Sequence, residues 1–123
     1  MKIQTQDLTG AALDWAVAKC EEVVNGDDLD VGFILEGGYS PSTNWAQAGP
    51  IIEREKITIT GEGFPWWECQ KGWYAHIGDL YTWGDALLLR HWRQPGDTPL
   101  EAAMRCYVAS KLGREVEIPE ELT

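Results

Sequence analysis

Residues 98–113 spell out a helix from end to end. Thr98 can cap it, because its hydroxyl accepts a backbone N–H of the first turn, and Glu101 three residues on completes a capping box. Pro99 suits the first helical position, where a missing N–H loses no hydrogen bond. Leu100, Ala103, Met104, Tyr107, Val108 and Leu112 then form a continuous apolar stripe, and Gly113 closes the helix. Such a stripe must be covered by other layers of the same chain.

The cover comes from shorter elements. Ala11 to Glu22 is rich in helix formers, with Asp7 and Thr9 as candidate caps. Its inner side would carry Ala12, Leu13, Ala16, Val17 and Cys20. Asp14, Lys19, Glu21 and Glu22 are expected to face outward, with Trp15 at the margin. Asn25-Gly26-Asp27-Asp28 ends this helix by turn chemistry.

Tyr39 to Glu55 packs more signals into less chain. Gly37-Gly38 favours a turn, and Pro41 pushes Ser40 toward an extended conformation. Ser42 or Thr43 can cap a helix in which Trp45, Ala48 and Ile52 share one face. Pro50 interrupts it. Either the helix kinks there, or Pro50 opens a second short helix to Lys56.

Strand signals fill most of the remainder. Lys56 to Thr60 alternates apolar and polar residues, as a half-buried strand does. Phe64–Gln70 and Trp73–Ile77, split by Lys71-Gly72, read as two arms of a hairpin. Val31–Glu36 is a further candidate strand. Ala86–Trp92 is another, although Leu87-Leu88-Leu89 is equally compatible with a helix. Lys2 to Thr5 and Val116 with Ile118 are short strand candidates at the two ends, and Pro119 starts a final turn. The connections are short and rich in glycine, so the sheet should be mostly antiparallel. The expected fold is α+β: a single layered domain over residues 1–123, with about three amphipathic helices packed on the sheet.

Charge narrows the possible partners. Ten Lys and Arg stand against twenty Asp and Glu, a net charge of -10. Sequence-independent nucleic-acid binding needs the opposite sign, as does docking on an anionic membrane. No apolar run approaches the length of a membrane span, and Met1 to Gly10 lacks the pattern of a signal peptide. Cys20, Cys69 and Cys106 are odd in number and widely spaced, which fits a reducing cytoplasm without structural disulfides.

Three segments carry a family resemblance: Leu8 to Cys20, Tyr39 to Glu55, and Thr98 to Gly113. In order and spacing they resemble the NinX-like family of phage and prophage proteins, whose function is unknown. More distantly the layout is similar to small phage ABA-sandwich domains, in which helices cover a sheet. The resemblance implies an accessory phage gene expressed in the cytoplasm of a bacterial host. It implies no reaction.

The residues themselves suggest binding rather than catalysis. Cys69, His76 and His91 could in principle converge on a metal, but their spacing matches no zinc pattern. No Gly-x-Ser-x-Gly elbow or phosphate loop occurs. The expectation is therefore no catalytic residues, no metal and no cofactor. One binding reading places a small nucleotide-like ligand, such as a host defence signal, at the start of the central helix. Ser42, Thr43 and Asn44 would donate hydrogen bonds, Tyr39 and Trp45 would form a wall, and Trp66 or Trp67 would stack on a planar base. In this reading unpaired backbone N–H groups at the helix start offset the unfavourable net charge. The alternative is an acidic module that binds and inhibits a host protein, with exposed tryptophans as anchors. A homodimer is compatible with either reading. The bland account is that the hydroxyls cap the helix and Trp45 lies in the core.

Overall fold

Helix α3, Pro99–Leu112, carries the core. In the computed structural model of the chain the described residues are 1–25, 34, 37–61, 72–77 and 94–122, with backbone alone for 22–25. The other elements are β1 (Lys2–Gln4), α1 (Gly10–Asn25), α2 (Trp45–Glu55), β2 (Ile57–Thr60), β3 (Trp73–Ile77), β4 (Gln94–Gly96) and β5 (Glu115–Glu117). The fold is α+β, with two antiparallel sheets among the described residues.

Local chemistry sets the limits of α3. The Glu101 N–H donates to Thr98 Oγ1 at 3.1 Å, and Pro99 takes the first turn. The Glu101 carboxylate reaches back to the Asp97 N–H at 3.1 Å, one residue earlier than a standard capping box. Gly113 ends the helix at φ 90°. Leu100, Met104 and Tyr107 are buried as the stripe requires, and so are Ala102, Cys106 and Ala109 on other sides of the helix. A helix buried all round has neighbours all round. The three-stranded sheet packs on one side of α3, and α1 and α2 pack elsewhere on it.

That sheet runs β2-β3-β4, each neighbour antiparallel. Ile57 stands opposite Ile77 and Thr60 opposite Tyr74, while Trp73 pairs with Gly96 and Ala75 with Gln94. Strand β4 was not expected from Gln94-Pro95-Gly96. Pro95 is tolerated there because β4 is an edge among the described residues. The terminal strands, expected to extend one sheet, instead form a second one: Lys2 faces Glu117, Ile3 faces Val116 and Gln4 faces Glu115. Arg105 ties α3 to β4 and to the segment that leads into α1. Its guanidinium donates to Leu8 O at 2.7 Å and to Pro95 O at 2.9 Å.

Several expectations are corrected. Ile34, the one described residue of the expected strand 31–36, is helical, and its carbonyl accepts the Gly37 N–H at 3.0 Å to close a tight turn. Helix α2 runs unbroken through Pro50, and Asn44 caps it rather than Ser42 or Thr43. Trp45 is 57% exposed, so the buried face of α2 is carried by Ala48 and Ile51 instead. Asp14 and Glu21 point inward, not outward. The expected strands Phe64–Gln70 and Ala86–Trp92 lie outside the described residues.

Candidate functional site

The turn before α2 was expected to expose backbone donors. The structure gives most of them partners within the chain. Ser40 N–H donates to Gln47 Oε1 at 2.6 Å, and Thr43 and Asn44 N–H both donate to Ser40 O. Ser42 N–H donates to Asp14 Oδ1 at 2.9 Å, and Ala46 N–H to Asn44 Oδ1 at 2.9 Å. Gln47 and Ala48 N–H donate to Asn44 O. The segment is a tightly bonded turn held against α1 by a buried carboxylate. Burial raises the Asp14 carboxyl above the usual aspartate range, and the Ser42 N–H partly offsets this.

The five described residues of the expected ligand site are not equivalent. Tyr39 is half-buried and packs on the core, and Ser42 is buried. Thr43 and Trp45 are exposed, and Asn44 is occupied as the cap. Ser42 Oγ makes no hydrogen bond of full geometry among the described residues, but the hydroxyl lies beside Asp14 and helps to hold its carboxylate. Trp66 and Trp67 lie outside the described residues, as do Cys69 and His91. His76 is buried in β3.

A second polar row crosses from α1 to α2 and α3. Arg54 donates to Glu21 Oε1 at 2.6 Å, to Glu55 at 2.9 Å and to the Tyr107 hydroxyl at 3.1 Å. Lys111 joins Glu55 at 3.3 Å. Burial alone would raise the Glu55 carboxyl, but Arg54 and Lys111 outweigh it and hold the group below the usual range. Burial, reinforced by the charge of Glu21, raises the phenols of Tyr39 and Tyr107, so both stay neutral. Burial also pushes the Cys20 and Cys106 thiols up to about 12, which leaves them protonated and unreactive at neutral pH. The row therefore fastens three helices and offers no nucleophile. Sequence reading missed Glu21 in this row and Asp14 beneath the turn, although a signal was present. Asp14 and Glu21 are seven residues apart on α1, on the side that also carries buried Val17.

The surface opens elsewhere. A cleft of about 250 Å³ lies where α1, the end of α3 and β5 meet. Trp15, Leu112 and Val116 give it apolar walls, and Lys19, Glu115 and Glu117 bring charge to it. The Lys19 ammonium sits 5.8 Å from the centre of the Trp15 ring. Glu115 and Glu117 are exposed, on the outward side of β5.

The three segments singled out by resemblance are thus the three helices that build this core. The family model described as Bacteriophage P22, NinX matches residues 4–111. The chain belongs to the NinX family. It is accordingly a protein of phage type, and the match takes in α1, α2 and nearly all of α3. No curated protein matches the chain. The polar row of this NinX-family chain lies within the matched region, and β5 follows it. Among the described residues no helix is long and apolar enough to cross a membrane.

Proposed function

We propose that this chain is a non-enzymatic phage accessory protein that acts in the bacterial cytoplasm by binding a host protein through its acidic surface. One observation carries this reading: the open cleft beside β5 joins apolar walls to an exposed acidic strand. That combination suits a protein partner better than a small anion. The net charge of -10 repels anionic ligands and steers basic ones. Burial holds the thiols of Cys20 and Cys106 protonated, which supports a non-catalytic role.

The second reading keeps a nucleotide-like ligand, such as a host defence signal, at Tyr39–Trp45. Trp45 offers an exposed ring. Against it, most of the donors that would greet an anion are already bonded.

Mass spectrometry of small molecules released by heat-denaturing the purified protein separates the two. Protein binding predicts no nucleotide recovered in fixed ratio to the chain. A nucleotide recovered in fixed ratio, and lost on Ser42→Ala or Asn44→Ala at unchanged melting temperature, overturns the protein-binding reading.

A further inference from the structure

Strand β5 has one partner among the described residues, β1, and its hydrogen-bond phase can be read from the ends of the ladder. Thr5 N–H donates to Arg114 O at 2.7 Å, and Ile118 N–H donates to Met1 O at 2.9 Å. Antiparallel ladders alternate between bonded and non-bonded pairs. Ile3 and Val116 are then the bonded pair between these two. Lys2 with Glu117 and Gln4 with Glu115 are the non-bonded ones. The N–H and C=O groups of Glu115 and Glu117 consequently point away from β1. The cleft is lined by all three residues of β5 and by none of β1, so it lies on that outer side.

We infer that the outer edge of β5 captures an extended basic segment of a partner protein, which adds as a strand. This rests on the protein-binding reading above and specifies its chemistry. Side-chain alternation sets the sequence the edge accepts. Residues opposite Glu115 and Glu117 share the face of those carboxylates and should be Lys or Arg. The residue between them shares the face of Val116, where Trp15 and Leu112 leave room for a large apolar side chain. The recognised pattern is basic–apolar–basic in an extended chain, the edge-addition mode of peptide recognition. Lys19 also lines the cleft, held over the Trp15 ring. It disfavours a basic residue at the central position and leaves the flanking ones to the glutamates.

A second copy of the chain suits this edge poorly. Two β5 strands paired about Val116 would set Glu115 of one opposite Glu117 of the other, and like charges directly across a ladder repel. Both carboxylates already take modest support from within the chain, Glu115 from Gln4 Nε2 at 3.0 Å and Glu117 from the terminal ammonium at 2.8 Å. These contacts are exposed and leave the strand acidic.

The test is fluorescence anisotropy with labelled peptides of alternating Lys and Val. The controls are a Glu–Val peptide and a Lys–Val peptide N-methylated at the residues whose N–H would face β5. Binding of the Lys–Val probe, no binding of the Glu–Val probe, and a loss of about tenfold on N-methylation are expected. Glu117→Pro removes an outward N–H while keeping the β1 ladder, and should weaken the probe about fivefold more than Glu117→Gln does. Should Glu117→Pro fail to fold, the methylated probe on the unchanged protein still decides the matter. A Lys–Val probe that binds regardless of methylation overturns the edge and leaves charge attraction alone. No binding of any probe overturns it as well, as does a wild-type dimer that Glu117→Pro makes monomeric. A natural partner held equally by wild type and Glu117→Pro removes the edge while keeping the protein-binding reading.

Discussion

Asp14 carries a carboxylate into a place where water solvates it poorly, and it does so to hold the Ser42 N–H. Two effects oppose each other there. The hydrogen bond satisfies a buried backbone donor, while burial disfavours the charge. Asp14→Ala removes the acceptor and should destabilise the fold by about 1–3 kcal/mol, the cost of an orphaned buried donor. Asp14→Asn keeps an acceptor and discards the charge. The raised carboxyl means that the folded state binds this proton more tightly than the unfolded state does. Stability of the wild type therefore falls as pH rises from the ordinary aspartate range through the raised value. The difference between Asp14→Asn and wild type should widen in favour of Asn over that window and then level off. Chemical denaturation across the acid range checks this, and a difference independent of pH contradicts it. This residue was misread in the sequence in spite of its spacing from Glu21. An acidic side chain on an amphipathic helix is read outward, because charges are rarely buried unless paired. Its partner, Ser42, lies on another element, and the sequence of α1 holds no trace of it.

At the scale of the element, α3 was the most legible part because everything that defines it is local. Thr98, Pro99, Glu101 and Gly113 act within one turn of their own positions. Asn44 was harder, since Ser42, Thr43 and Asn44 are chemically equivalent caps and only the path of the turn chooses among them. Pro50 left a kink or a second short helix open, and the helix continues through it as one element, because tertiary cover on Ala48 and Ile51 outweighs the missing hydrogen bond. Strand β4 was illegible, since Gln94-Pro95-Gly96 has turn composition and is a strand only because β3 lies beside it. Its glycine has a second cause. A Cβ at Gly96 would run into the backbone nitrogen of Ala102 and come within 2.9 Å of the Ala102 Cα. The neighbour is helix backbone and cannot swing aside. Gly96→Ala should cost about 1–3 kcal/mol as an overpacking change, read as a lowered denaturation midpoint. Full stability in that variant would mean that β4 does not press on α3 as described.

For the whole molecule, the fold class followed from pattern and the arrangement did not. Alternation in Lys56–Thr60 and the stripe of α3 implied helices on an antiparallel sheet, and that holds. The division into two sheets among the described residues depends on β1 meeting β5 across nearly the full length of the chain, a pairing that no local signal encodes. Of the expected ligand site, the structure brings Tyr39, Ser42, Thr43, Asn44 and Trp45 together as neighbours in one turn and shows why the backbone there is self-satisfied. The cleft beside β5 was invisible for the same reason as the second sheet, because Trp15 and Lys19 meet Glu115 and Glu117 only through the fold. The central claim is that this acidic NinX-family chain works by holding another protein. Native mass spectrometry of the chain purified at low salt from a bacterial host tests it most directly. The account predicts a complex heavier by a whole polypeptide, of fixed stoichiometry, that falls apart as salt screens the charges. A chain found alone at every salt concentration, or heavier only by the mass of a nucleotide, would contradict it.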